Sequence, residues 1–409
     1  MKIYRSHILS PIDDTNVQYL RDQAITIDAG SILRIEDYDP LRNPKIIDRS
    51  DCLCLPGFID LHVHLSQYRI RGCYEPALLP WLKRHVFPEE ARSSERPYAL
   101  ALAEEFFAAL AMAGTTTAVI YTAPFPIACE MAFQTAHETG YRALIGMTMM
   151  DQNSDAALLG ETRTVLRQSI ELYEKWHDAS DRLDYIFTPR FAPTCSPALL
   201  EGVADYAAAH NAWIQTHLSE NPDEIIWVKE LFDGDSYAEV YDRYGVLRPK
   251  TLLAHCIHLS NREMKLIKKR DAKIVHCPDS NFFLKSGEFP LARIREHGLD
   301  YALGSDVGAG TTLSMLYQAK MYNFRSSLSR VDPADALYRI TLGAAHLLGW
   351  SDRVGSIEAG KSADLVFLEA ASLLDSNAED ITSALIFRGH ELSVAETLIN
   401  GKTVHLSKN

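Results

Sequence analysis

The chain predicts an α/β fold, a TIM-like (β/α)8 barrel carrying a small β-domain formed from both chain termini. Three observations lead there. Eight short apolar runs alternate with amphipathic segments, strand-and-turn patterns are confined to the two ends, and isolated polar residues recur where the apolar runs stop.

The first apolar run, LCLPGFIDLHVHLSQY at 53–68, reads as a strand centred on 57–63. Seven more follow at 116–121 (TTAVIY), 143–148 (ALIGMT), 184–188 (DYIFT), 213–217 (WIQTH), 251–255 (TLLAH), 273–276 (KIVH) and 300–304 (DYALG). Helical spacing occupies the intervals at 96–113, 128–139, 155–177, 196–210, 222–232, 260–270, 289–297 and 312–325, with a connecting helix at 333–349. Eight strand–helix units imply a parallel barrel. The ends differ: 1–52 holds MKIYRSHIL, AITIDAG and SILRIEDY, and 355–406 holds GSIEAGKSADLVFLE and AETLINGKTVHL, both without helical spacing. The expectation is a composite β-sandwich domain from residues 1–54 and 352–409, with the catalytic barrel at 55–351.

Composition narrows the function classes. A net charge of −13, from 41 basic and 54 acidic residues, argues against nucleic acid or an anionic membrane surface as partner and favours a small neutral or cationic substrate. Seven cysteines, an odd number without a CxxC pair, indicate neither a disulfide framework nor a thiolate metal site, and a cytoplasmic protein is expected. No apolar run approaches the roughly 18–20 residues of a membrane span.

The chemistry starts at His62 and His64. Residues two apart on a strand project from one face, so both imidazoles converge on a point that suits a divalent metal. His217, His255 and Asp306 each close or follow a later apolar run, which brings five candidate donors to one end of the barrel. Asp60, on the same face, is a candidate for fixing a ring tautomer. The fourth strand ends Thr188-Pro189-Arg190-Phe191, without the lysine that a bridged pair of ions would need. A single ion follows, with His255 free to hydrogen-bond. Zinc fits such ligands and lowers the pKa of water toward about 7, although iron takes the same donors. Asp306 can then accept a proton and Glu220 can deliver one to a ring nitrogen and to a departing amine, which suits hydrolytic deamination. Arg190 is placed to give a bidentate hydrogen bond to a carbonyl, Gln67 to read a ring edge, and Trp81 and Phe87 to form flat walls.

The segments PGFIDLHVHLSQY (56–68), LPWLKRHVFPEE (79–90), GTTTA (114–118), TPRFAPTCS (188–196), QTHLSEN (215–221), AHCIHLS (254–260), HCPDSN (276–281) and GSDVGAGTTLSML (304–316) together resemble the amidohydrolase superfamily and, within it, the guanine deaminases. SQY, TPRF and the LPWL…FPEE segment carry the narrower likeness. The resemblance implies metal ligands His62, His64, His217 and Asp306, with Glu220 and His255 in proton transfer and water positioning. It implies recognition of a purine's carbonyl and imidazole edge by Gln67, Arg190 and Phe191, the last partly through its backbone, and a homodimer. Deamination of guanine to xanthine is the expected reaction. Another purine, a pterin, cytosine or a triazine ring is the alternative substrate, and a barrel scaffold without activity is the alternative outside enzymes. The other deaminase zinc motif is absent, since no PCxxC occurs.

Overall fold

The structure, a computed structural model, describes residues 1–42 and 45–407. Among them, the N-terminal strands are β1 (Lys2–Pro11), β2 (Val17–Asp28), β3 (Ser31–Asp37) and β4 (Ile47–Pro56). Eight more follow as β5 (Phe58–His64), β6 (Thr115–Thr122), β7 (Arg142–Met149), β8 (Leu183–Pro189), β9 (Trp213–Leu218), β10 (Thr251–His255), β11 (Lys273–His276) and β12 (Tyr301–Leu303). The chain ends with β13 (Leu365–Glu369), β14 (Val394–Ile399) and β15 (Lys402–Leu406). All eight barrel strands expected from the apolar runs are present, displaced by no more than two residues at either end.

β5 to β12 pair in sequence order, every neighbour parallel. The barrel closes just past β12, where the Asp306 amide donates to the His62 carbonyl at 2.8 Å and the His64 amide to the Val307 carbonyl at 2.7 Å. One apolar cluster fills the interior, with Ile59, Leu61, Val119, Leu144, Ile186 and Val275 meeting Ala344, Ala345 and Leu348 from a helix at Leu342–Leu348. That helix covers the end at which the strands start. The opposite, C-terminal end is left for the site.

Strands from both termini form one seven-stranded sheet, ordered β15-β14-β13-β4-β1-β2-β3. The ladder is continuous from one terminus to the other, because β4 pairs with β1 on one edge and β13 on the other. Bulges such as those between Ser6 and Ile8 and between Phe367 and Leu368 let the sheet curl over its own face. Cys52, Cys54, Leu365 and Phe367 point into that concave face with Tyr4 and Ile25, and Tyr4 stacks on Phe367 at 5.1 Å. Leu53, Leu55, Val366 and Leu368 point the other way, into the large core shared with the helices around the barrel. Alternation thus buries both faces.

Several local expectations change. The run at 53–68 is two strands in two sheets plus a 3-10 turn at Leu65–Ile70. The chain crosses between sheets at Gly57, where a Cβ would lie 2.2 Å from Thr116 Oγ1. The helix expected at 155–177 starts only at Thr162, where the Glu161 carboxylate caps the Thr164 amide. The one at 333–349 splits into Pro333–Arg339 and Leu342–Leu348 around Thr341, whose backbone is not helical. The C-terminal end is not free of helix: Ala378–Arg388 buries Ile381, Leu385 and Ile386 behind an Asn377 cap. Its apolar face covers under two turns, too short to show a clear period. All seven cysteines are free, and no helix among the described residues is long and apolar enough to cross a membrane.

Candidate active site

Three strand ends deliver four donors to one point. His62 and His64 come from β5, His217 from β9, and Asp306 from the residues closing the barrel after β12. His64 Nε2 stands 3.2 Å from His62 Nε2, 3.4 Å from His217 Nε2 and 3.1 Å from Asp306 Oδ1, while His62 Nε2 is 3.2 Å from the same oxygen. Donors bound tetrahedrally to one ion at about 2.0–2.1 Å stand roughly 3.3 Å apart, so this set of three imidazoles and one carboxylate fits a divalent metal. Burial favours the neutral, lone-pair-bearing imidazoles: it pushes the His62 pKa down to about 4 and holds His217 well below the usual range. The other ring nitrogen of His217 donates to the Arg190 carbonyl at 2.7 Å and so directs Nε2 inward. Burial opposes charge on Asp306 too, but the adjoining His62 and His64 rings outweigh it and keep the carboxylate well below its ordinary pKa.

His255, at the end of β10, belongs to a looser ring. One donor atom each from His62, His217, His255 and Asp306 falls within 4.8 Å, yet His255 Nε2 lies 3.8 Å from Asp306 Oδ2 and 3.5 Å from Glu220 Oε2. His64 Nε2 stands nearer Asp306 than His255 Nε2 does, 3.1 Å against 3.8 Å. His255 Nε2 is buried with no hydrogen-bond partner, facing the two carboxylates. Burial works against charge on this ring, but Glu220 and Asp306 outweigh it and raise its pKa. Burial likewise raises the pKa of Glu220, which accepts a hydrogen bond from Ser286 Oγ at 3.0 Å. Both His255 (φ 70°) and Asp306 (φ 51°) sit in the left-handed region, a cost of order 1 kcal/mol that the surrounding ladder overrides.

The other candidates meet the quartet across one cavity of about 410 Å³, mouth included, lined by His64, Gln67, Trp81, Arg190, Phe191, Glu220, His255 and Asp306. Trp81 donates through Nε1 to the Cys73 carbonyl at 2.8 Å and gives its ring as a wall. Three expectations need correction. Phe87 does not line this cavity; its ring lies 5.5 Å from the Arg190 guanidinium instead. Asp60 touches no imidazole: it accepts from the backbone amides of His62 (3.2 Å) and Ser305 (2.9 Å), tying β5 to the chain after β12. The Arg190 fork is already engaged, by Glu90, with Nη1 to Oε2 at 2.7 Å and Nη2 to Oε1 at 3.3 Å.

Sequence reasoning missed four polar residues here. Glu90, on the short helix Phe87–Arg92, also accepts from Gln67 Nε2 at 3.0 Å. After β11, the helix Pro278–Phe283 presents Asp279 to the Thr311 amide, Ser280 to Asp306 Oδ2, and Asn281 to His255 Nδ1 at 2.9 Å. The DSN triplet at 279–281 therefore steadies both proton-handling groups. Its signals were its position, directly beyond an apolar run ending in His276, and its place in the HCPDSN segment, neither of which gave these three residues a role.

Comparison with known proteins agrees with this geometry. The Amidohydrolase family model matches residues 53–404. The chain belongs to the amidohydrolase family, in its guanine deaminase branch. Guanine deaminase of Escherichia coli is 35% identical over 373 residues, spanning 88% of this chain and 85% of the relative. A solved E. coli guanine deaminase superposes with a TM-score of 0.95 at 31% identity, covering 100% of both chains. The C. acetobutylicum guanine deaminase, solved with guanine in its active site, gives 0.92 at 30% identity over 99% of this chain and 100% of that one.

Proposed function

We propose that this amidohydrolase hydrolyses guanine to xanthine and ammonia. The observation that carries the reading is the buried His62, His64, His217 and Asp306 quartet facing, across one cavity, Glu220 and His255 on one side and Gln67 and Arg190 on the other. The likeness to guanine deaminases over nearly the whole chain supports the substrate.

A divalent ion held by the quartet, which we assign as zinc, supplies acidified water and a local positive charge. Asp306, kept ionised beside His62 and His64, accepts a proton from the attacking water. The new C–O bond forms at the carbon bearing the exocyclic amine, the ring C=N pair moves to nitrogen, and Glu220, with its raised pKa, gives that nitrogen a proton. Glu220 then takes the proton of the new hydroxyl and passes it to the amine, so that ammonia leaves as the C–N bond breaks and the carbonyl forms, and the proton held on Asp306 restores Glu220. His255, fixed by Asn281, orients the water through its unpartnered Nε2. Gln67, Arg190 and Phe191 hold the ring, and Trp81 covers it.

The test is direct: purified protein loaded with one zinc per chain should consume guanine and release equimolar ammonia. Stoichiometric metal without turnover would sink the assignment. We extend the proposal to catalysis confined to residues 55–351, to a cytoplasmic setting, which seven unpaired thiols support, and to a homodimer, which light scattering would read.

A further inference from the structure

The reaction needs a carboxylate near the metal, but Glu90 does not line the cavity: it is fully buried against Arg190 and Gln67, two of the side chains assigned to the ring. It accepts from three groups at once: the Arg190 fork, Gln67 Nε2, and Ser66 Oγ at 3.3 Å. A carboxylate only accepts hydrogen bonds, so Gln67 must turn its nitrogen toward Glu90 and its carbonyl oxygen away. That oxygen keeps one long contact, from the Gly308 amide at 3.4 Å, and remains an acceptor for a ligand. Arg190 has five N–H donors; two go to Glu90, one of Nη1 reaches Met150 Sδ at 3.9 Å, and the remainder can only donate. Its charge, meanwhile, is cancelled in place.

We propose that Glu90 is the specificity-determining residue of the recognition end. It fixes Arg190 and Gln67 as a donor beside an acceptor and neutralises the arginine, so that the cavity selects an uncharged ring lactam over rings carrying an amine in place of that lactam carbonyl and over anionic rings. The inference rests on the guanine reading. A lactam presents C=O beside N–H, the complement of this pair, whereas a 6-aminopurine presents the reverse order. An anionic ring would gain from an unpaired Arg190 and gains little from a paired one.

The experiment compares the zinc-loaded wild type with Glu90→Gln and Glu90→Asp. Glu90→Gln keeps an acceptor for Gln67 but removes the charge: KM for guanine should rise about tenfold with kcat changed less than about threefold. Inhibition by xanthine, an acidic ring, should tighten about tenfold at pH 8.5, where the anion dominates, and stay unchanged at pH 6. Glu90→Asp keeps the charge but withdraws the carboxylate, so KM for guanine should rise with xanthine inhibition unaltered, and adenine should inhibit more strongly relative to guanine. Loss of guanine and xanthine binding together, at both pH values and in both variants, would overturn the inference. If Glu90→Gln fails to fold, Glu90→Asp alone decides between outcomes: unchanged adenine discrimination rejects it. A wild type that ignores guanine would refute the functional reading itself, a result separate from any change between variants.

Discussion

The two ends of the barrel use the same residue types to opposite effect. At the end where strands start, buried charges are paired off. Arg142, the first residue of β7, donates to Asp364 at 3.0 Å, and Asp364 is further held by Ser362 Oγ and the Asn400 amide. Asp335 receives Arg295, Arg339 and the Tyr322 hydroxyl, each at 2.8 Å, while Arg339 also donates to the Tyr301 carbonyl at the head of β12. At the opposite end, lone pairs from four residues point at a common centre and His255 Nε2 points at two carboxylates without bonding either. Buried polar groups that satisfy one another hold the fold together. Those left with valence to spare are kept for something that is not protein.

The sharpest way to break that contrast is to remove a donor at the open end. Asp306→Asn should lose the metal and at least about 10³-fold in kcat, because metal-derived stabilisation is worth several kcal/mol and each 1.36 kcal/mol is tenfold. Elemental analysis beside the ammonia assay reads both, and retained stoichiometric metal would contradict the assigned ligand set. Glu220→Gln comes next: an acid–base group contributes about 10²–10⁴-fold, and here metal content should stay at the wild-type value. Asn281→Ala should cost about 10–100-fold in kcat by releasing His255 Nδ1, with Asn281→Asp, which keeps the acceptor, recovering much of it. Equal losses in both Asn281 variants would indicate packing rather than orientation.

A pH series tests the same end differently. Burial depresses the His62 pKa to about 4, below the ordinary 6.5, so at this ligand protonation competes with metal as pH falls through that lower value. Zinc occupancy after dialysis should therefore hold at pH 5.5 and decline toward pH 4. Release near pH 6.5, as for an unperturbed histidine, would show that burial does not protect the site.

How much of this was readable depended on which structural period carried each residue. His62, His64, His217, His255 and Asp306 sit on or next to strands, where alternation and the end of an apolar run mark both the side and the height of a side chain. Glu90 and Arg190 are 100 residues apart and meet through helices of four to six residues at 78–92, too short for any helical period to emerge. The same brevity hid Ser280 and Asn281. Arg190 was legible as a recognition residue but its partner was not, since nothing local distinguishes Glu90 from Glu89, which bonds outward to Arg92. Likewise the terminal strands were visible individually, while their union into one curled sheet depends on β4 pairing along both edges, a long-range choice.

The smallest effect on activity, and the clearest test of the closed end, is expected from Arg142→Ala. The Arg142–Asp364 pair joins the start of β7 to the loop before β13, so it links barrel to terminal sheet. Deleting the arginine strands a buried carboxylate, and such breakage costs about 3–5 kcal/mol. The active centre lies at the far end of the same strands and shares no contact with this pair. Urea unfolding should thus shift to lower denaturant while kcat per folded molecule, measured well below the transition, stays within about twofold. A matching fall in kcat would mean that the sheet end transmits strain along β7 to the cavity, and the division of labour between the two ends would have to be abandoned.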